Sequence, residues 1–159
     1  MPKKIEDVIS EYGFYVTETK GTSMYPLIKS DCSDVCIVKT DFPLKKYDVP
    51  LYIRKDGTYV LHRVLGKTEK GYICCGDNQC VLEYGVTEDM IIGKLDSWYR
   101  KEKKYTVRDK GYLRYVNFWC KSLKRRRILL WFLWKGKRFN TLARAAFRKV
   151  FKRRKAEDK

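Results

Sequence analysis

The 159-residue sequence has no long apolar run and only one histidine. A membrane-spanning helix needs about 18–20 consecutive apolar residues, whereas the longest such run here, from Ile128 to Trp134, has seven. The start of the chain, Met1-Pro2-Lys3-Lys4, is not followed by an apolar stretch of the signal-peptide type. These absences disfavour a conventional secreted or membrane-spanning protein and predict a cytoplasmic one.

The cysteines do not follow the spacing of a structural zinc site. The six cysteines occur as C-x3-C, as CC-x4-C and as one further residue, and a single histidine adds little to a ligand set. Because no export signal is found, we expect reduced thiols rather than disulfides. We therefore expect no metal and no cofactor, and we interpret the cysteines mainly as apolar structural side chains.

Positive charge is concentrated in the last part of the chain. Residues 1–100 contain 14 basic and 15 acidic side chains, a net charge of −1, whereas residues 101–159 contain 22 basic and 4 acidic ones, a net charge of +18. A segment with such an excess is expected to seek an anionic surface. The sequence thus predicts a near-neutral module followed by a cationic tail.

Short β-rich segments with turn residues between them predict a mainly β fold. Asp56-Gly57, between Leu51-Tyr52-Ile53 and Tyr59-Val60-Leu61, is typical of a β-hairpin. Further strands are predicted at 14–17, 35–38, 72–75, 90–92 and 105–107. Apolar residues at helical spacing before Gly13 indicate a short N-terminal helix. We predict a helix in residues 1–13, a coiled β-sheet or barrel over 14–108 and a basic amphipathic helical extension over 109–159.

The cationic tail has apolar residues at helical spacing, with Arg and Lys between them. One helix face is predicted from Leu113 to Leu123, and a basic amphipathic helix from Phe139 to Phe151. Such a helix packs on the β module or on a partner, binds nucleic-acid phosphates or lies on an anionic membrane surface. The stretch Ile128 to Trp134 is apolar on every side, which favours the membrane surface and disfavours nucleic acid as the partner.

His62 is the one side chain that can act as an imidazole base, and it follows a predicted strand. Taken alone, it is more simply interpreted as an ordinary half-exposed strand histidine. Six motifs elsewhere bear on its role, and they occur along the chain in this order: Gly21-Thr22-Ser23-Met24-Tyr25-Pro26, Leu27-Ile28-Lys29-Ser30-Asp31, Lys45-Lys46-Tyr47-Asp48-Val49, Val60-Leu61-His62-Arg63-Val64, Gly76-Asp77-Asn78 and Ile91-Ile92-Gly93-Lys94-Leu95.

Over residues 15–95 this series resembles the signal peptidase and LexA-like serine peptidase superfamily. With histidine at the base position, it is similar to the endoplasmic reticulum and archaeal signal peptidases. The resemblance implies that Ser23 is the nucleophile, that His62 is the general base and that Asp77 orients the imidazole. It further implies that Gly21, Thr22, Met24 and Pro26 belong to the oxyanion hole or substrate site. Glu83 falls where that branch often carries a second acid, although an ordinary surface carboxylate is the simpler interpretation of it. Asp77 is open to a second interpretation, as a turn-forming aspartate.

The sequence departs from the family pattern at several points. Gly21 stands where membrane-bound relatives often carry a serine, Ser30 replaces a glycine, and residues 1–22 contain no transmembrane anchor. These same residues lack the Ala-Gly or Cys-Gly dipeptide at which LexA-like members cleave themselves, so self-cleavage of that type is not expected.

Three functional hypotheses follow. The first is a serine endopeptidase that cleaves an extended peptide or preprotein near a membrane, to which the tail attaches it peripherally. The resemblance implies small residues before the scissile bond. The second is a non-catalytic relative that binds peptide or membrane. The third is a cysteine-dependent enzyme that pairs Cys74, Cys75 or Cys80 with His62, although no spacing specifies it. The sequence does not indicate an oligomeric state.

Overall fold

The computed structural model describes residues 3–30 and 33–136, and in these ranges the protein is mainly β. The predicted fold class is therefore confirmed. Every strand pairing is antiparallel. The strands are β1 (Phe14–Glu18), β2 (Ser33–Val38), β3 (Pro50–Ile53), β4 (Tyr59–Leu61), β5 (Arg63–Thr68), β6 (Gly71–Cys75), β7 (Glu83–Val86), β8 (Ile91–Arg100) and β9 (Lys103–Thr106).

The predicted N-terminal helix is confirmed as α1 (Ile5–Tyr12). It ends at Gly13, which adopts a left-handed φ of 79° and donates its backbone N–H to the carbonyl of Ile9. Three further helical segments follow: a 3₁₀ turn (Glu88–Met90), α2 (Lys110–Tyr115) continued by a π-helical turn (Val116–Cys120), and α3 over residues 123–136. No helix among the described residues is long and apolar enough to cross a membrane.

The larger sheet is a curled half-barrel. Its strand order is β1-β2-β8-β3-β4, and β9 pairs with the C-terminal half of β8. Two register shifts interrupt it, one between Cys36 and Ile37 and one between Leu51 and Tyr52, and such bulges bend and twist the strand that carries them. Gly93 of β8 lies so close to β2 that a Cβ there would be 2.7 Å from Ile37 Cγ2. The sheet therefore curves, and its two end strands are β1 and β4.

The smaller sheet, β5-β6-β7, shares its core with the larger one. The predicted hairpin β3–β4 is confirmed, with Tyr52 opposite Val60 and the Asp56-Gly57 turn between the strands. Both of these side chains lie in a cluster that draws on both sheets. Its buried members are Leu44, Tyr52, Val60, Val64, Tyr72, Cys74, Val86 and Ile91.

The first compact unit extends further along the chain than the predicted boundary at residue 108. It runs to Leu123, and the second unit begins at Lys124. Within the first unit, Tyr112 is buried and Leu113 is exposed, although Leu113 was predicted on the inward helix face. Tyr112 faces inward because its hydroxyl accepts a hydrogen bond from the buried Arg63. The predicted helix from Phe139 to Phe151 lies outside the described residues.

Candidate active site

The segment that carries Ser23 is a tight turn after β1. Gly21 opens the turn with a φ of 82°, a conformation that glycine adopts without steric cost. The backbone N–H of Tyr25 donates to the carbonyl of Thr22, and Arg100 of β8 donates to the carbonyl of Pro26. These contacts use Thr22 and Pro26 to hold the turn in place, so that Ser23 is presented from a restrained loop.

Gly76 is the residue at which the turn of Ser23 meets the end of β6. A Cβ at Gly76 would lie 2.7 Å from the carbonyl oxygen of Ser23 and 3.1 Å from its Cβ, so the two segments are in direct contact. In the β5–β6 ladder Arg63, the residue after His62, pairs with Cys75, the residue before Gly76. His62 therefore lies at the same end of this ladder as Gly76, which contacts Ser23.

Within the described ranges, no hydrogen bond joins the Ser23 hydroxyl to His62, and the backbone N–H of Ser23 has no acceptor. In a substrate-free enzyme, catalytic hydrogen bonds are often long and tighten only when substrate binds. An unpaired N–H beside the nucleophile is suited to bind the oxygen of a tetrahedral intermediate. The turn thus presents a serine hydroxyl next to a backbone N–H, the two groups that nucleophilic attack and oxyanion binding require.

His62 is 5 % exposed and lies between β4 and β5. Its Nδ1 is 3.3 Å from the hydroxyl of Tyr52 and 3.5 Å from Oε2 of Glu83. The Tyr52 hydroxyl donates its proton to that same Oε2 at 2.6 Å, so its oxygen is free to accept from Nδ1–H. This arrangement favours the tautomer with the proton on Nδ1, and it leaves Nε2 as the acceptor that a general base requires.

Arg54 holds the carboxylate of Glu83 in place. Its Nε and one terminal nitrogen donate to the two oxygens of Glu83 at 2.7 and 2.6 Å. These hydrogen bonds lower the pKa of Glu83, which therefore stays ionised at neutral pH. Burial lowers the pKa of His62, and the charge of Glu83 opposes that effect. At neutral pH the imidazole is thus neutral and can accept a proton.

Asp77 lies in a different network from the one around the imidazole. Its two oxygens accept hydrogen bonds from Nε and Nη2 of Arg63 at 2.8 and 2.6 Å, and both side chains are fully buried. The Tyr115 hydroxyl donates to the same carboxylate at 3.0 Å. The structure therefore places Asp77 as the counter-ion of Arg63, because a buried guanidinium requires a charged partner. The acid beside His62 is Glu83, the second acid of the sequence prediction.

An apolar cavity of about 420 Å³ opens beside Ser23. It lies between residues 17–20, at the end of β1 and just after it, and the end strand β4. Of the four residues predicted for the substrate site or oxyanion hole, Gly21 and Met24 line it together with Ser23, whereas Thr22 and Pro26 do not. Its other apolar lining side chains are Ile5, Ile28, Val35, Ile37, Leu51, Tyr59, Val60 and Leu61.

Sequence reasoning missed Tyr52 and Arg54. The predicted hairpin contains a signal for both residues. Tyr52 and Arg54 are two apart on one arm of the hairpin and so share a face, and Tyr52 lies opposite Val60, which is two positions before His62. A hydroxyl and a guanidinium on one face beside the only histidine are reasonable candidates for its partners. What the hairpin does not show is that Glu83 arrives from β7 to join them.

Neither Cys74 nor Cys75 is suited to act as a thiolate nucleophile. Cys74 and Cys75 are fully buried, and burial raises the pKa of the Cys74 thiol to about 12. Cys75 donates its S–H to the carbonyls of Gly76 and Gln79. In the part of the chain that the structure describes, no group of three or more His, Cys, Asp or Glu side chains is placed to hold a metal ion.

Comparison with known proteins adds no assignment to this geometry. No family model, no curated protein and no solved structure matches the chain.

We predict that the pKa of His62 lies below 6.5, its ordinary value, because burial disfavours the imidazolium. Replacing Glu83 with Gln removes the charge that raises this pKa and leaves the cationic Arg54 nearby, so the pKa falls further. Since His62 is the only histidine, an NMR titration of its ring protons measures the value directly. The control is Glu69→Gln, which removes an exposed carboxylate elsewhere. A His62 pKa that rises in Glu83→Gln contradicts the described network.

Proposed function

We propose that the protein is a serine endopeptidase of the signal-peptidase type, with Ser23 as nucleophile and His62 as general base. The observation that carries the proposal is that Ser23 contacts Gly76 while His62 precedes Arg63, the partner of Cys75, at the same end of the β5–β6 ladder. Two features of the site support it: Nε2 of His62 is left unprotonated by the preferred tautomer, and the backbone N–H of Ser23 is unpaired among the described residues.

The chemistry follows from these groups. Ser23 Oγ attacks the scissile carbonyl carbon while its proton passes to Nε2 of His62, and the Ser23 N–H binds the resulting oxyanion. The tetrahedral intermediate collapses to an acyl-enzyme, and the leaving amine takes the proton from Nε2. Water then attacks the acyl carbon with His62 again as base, and Ser23 is released with its proton restored.

Glu83 is the acid that orients His62 in this proposal, with Tyr52 between them. When the imidazole becomes cationic, its Nδ1–H is directed at the Tyr52 oxygen and at Oε2 of Glu83, which stabilise the charge. Arg54 limits this stabilisation, because it shares the same carboxylate and is itself cationic. The arrangement keeps His62 neutral in the resting state.

The substrate proposed is an extended peptide that enters the cavity between β1 and β4. End strands offer unpaired backbone groups to an added strand. The cavity volume of about 420 Å³ is large for an alanine methyl group, since an apolar cavity of about 150 Å³ already holds benzene. The space therefore favours larger aliphatic side chains than the family resemblance implies.

Attachment to an anionic membrane surface is the second part of the proposal, and α3 carries it. Its apolar side chains Ile128, Trp131, Phe132, Leu133 and Trp134 are all exposed. Basic residues precede them in the helix, at Lys124, Arg125 and Arg127. Aromatic and aliphatic side chains next to Lys and Arg are typical of helices that lie in the membrane interface.

A non-catalytic relative that binds peptide through the same cavity is the alternative function. The observation that favours it is the lack of a hydrogen bond between Ser23 and His62 in the described residues. The two functions differ in whether the serine is activated, so covalent labelling distinguishes them.

We predict that a fluorophosphonate forms one covalent adduct, on Ser23, because His62 takes the hydroxyl proton during attack. Ser23→Ala and His62→Ala lose the adduct, whereas Ser10→Ala, a change at an exposed serine of α1, retains it. Intact-protein mass spectrometry measures the adduct, with and without anionic vesicles. Unmodified wild-type protein under both conditions, together with retained peptide binding, would favour the non-catalytic alternative.

We predict that an extended peptide library is cleaved fastest where leucine, isoleucine or valine precedes the scissile bond, because these side chains fill the cavity. Mass spectrometry of the products identifies the cleavage positions. Ile28→Phe, which introduces a larger side chain at the cavity wall, is expected to shift the preference towards alanine. Cleavage after alanine in the wild-type protein, with no gain from larger residues, contradicts this size preference.

We predict that the full-length protein co-sediments with vesicles containing phosphatidylserine and much less with phosphatidylcholine alone, and that high salt weakens binding. The double change Trp131→Ala and Trp134→Ala is expected to reduce pelleting several-fold, because both exposed rings are lost. Tyr84→Ala, which removes an exposed aromatic ring from β7, is the matched control. Equal pelleting of the double variant and the control contradicts attachment through α3.

A further inference from the structure

A single peptide unit connects the helical segment of residues 110–120 to the turn of residues 21–26 that carries Ser23, called here the nucleophile turn. The indole Nε1–H of Trp119 donates to the carbonyl of Asp77 at 2.8 Å. The N–H of the same peptide unit belongs to Asn78, and it donates to the carbonyl of Ser23 at 2.7 Å. Trp119 and Ser23 thus bind the two ends of one amide plane.

This peptide unit has little freedom to turn. The Asp77 side chain is held by Arg63 and by the Tyr115 hydroxyl. The Tyr115 and Trp119 rings stack with their planes 15° apart. Trp119 is 7 % exposed, so its hydrogen bond forms away from bulk water, where such bonds are strong and polarise one another.

We propose that Trp119 is a positioning residue for Ser23 and acts through the peptide unit between Asp77 and Asn78. This inference rests on the proposed function for its consequence in catalysis, but the coupling itself is a property of the fold. Without the indole N–H, the buried carbonyl of Asp77 loses its described donor, and the peptide unit turns towards another donor. The N–H of Asn78 then moves away from the Ser23 carbonyl, and the nucleophile turn loses this restraint.

The effect on the reaction follows from the geometry of attack. A displacement of about 1 Å at a reacting atom costs up to a hundredfold in rate. Binding of the peptide depends on the cavity wall between β1 and β4, which Trp119 does not line. Loss of the hydrogen bond is therefore expected to lower kcat and leave KM nearly unchanged.

The test compares Trp119→Phe with Trp98→Phe in the full-length protein. Trp98 is a similarly buried tryptophan of β8, 4 % exposed and stacked on Tyr105, so its replacement is the matched core change. Hydrogen exchange followed by NMR measures the amide of Asn78, and the fluorophosphonate labelling rate measures the reactivity of Ser23. Thermal unfolding of both variants shows how much stability each change removes.

The expected result for Trp119→Phe is faster exchange at Asn78 and a drop in labelling rate of about tenfold or more, with Trp98→Phe close to wild type in both measurements. Equal exchange at Asn78 in the two variants overturns the inference. If the wild-type protein is not labelled at all, the proposed function fails, while the exchange measurement still decides the coupling. Should Trp119→Phe not fold, the same two measurements are made on Tyr115→Phe. This change loosens the same loop by removing one donor to Asp77, and exchange at Asn78 equal to that in Trp98→Phe then overturns the inference.

Discussion

The buried ion pair between Arg63 and Asp77 is the interaction on which the candidate site depends. Arg63 follows His62, and Asp77 follows Gly76, so the pair holds the two strands together beside His62. Arg63 also donates to the Tyr47 carbonyl and the Tyr112 hydroxyl. Removing one partner from such a pair costs about 3–5 kcal/mol, because the other charge is left buried without compensation. The geometry around Ser23 is therefore built on a charge pair that takes no part in the proposed chemistry.

The two acids near the site are separated by their cationic partners. Asp77 is taken up by Arg63 in the interior, and Glu83 is shared between Arg54, Tyr52 and His62 at its half-buried edge. Each carboxylate thus has one guanidinium. This division explains how two acids lie close to one histidine while only one of them contacts the ring.

Local patterns were sufficient to predict the β class, α1 and the β3–β4 hairpin, because each depends on residues close in sequence, such as Gly13 or Asp56-Gly57. The strands β5 and β7 were missed, since each carries polar residues and a glycine within the strand. Placing Ser23, His62 and Asp77 in one region came from the family resemblance, which stays a prediction. The exchange of roles between Asp77 and Glu83 was not predictable, because it depends on which guanidinium each carboxylate meets after folding.

The segment of residues 110–120 gives the site an order of assembly. All nine described strands precede it in the chain, yet Tyr115 and Trp119 donate to Asp77 at the loop beside Ser23. During synthesis the chain is extended from its N-terminus at about 5–20 residues per second, so the sheets emerge before these donors do. A nascent chain that has formed both sheets still lacks the last contacts around the turn that carries Ser23, and full restraint of that turn arises only after residue 120 has left the ribosome.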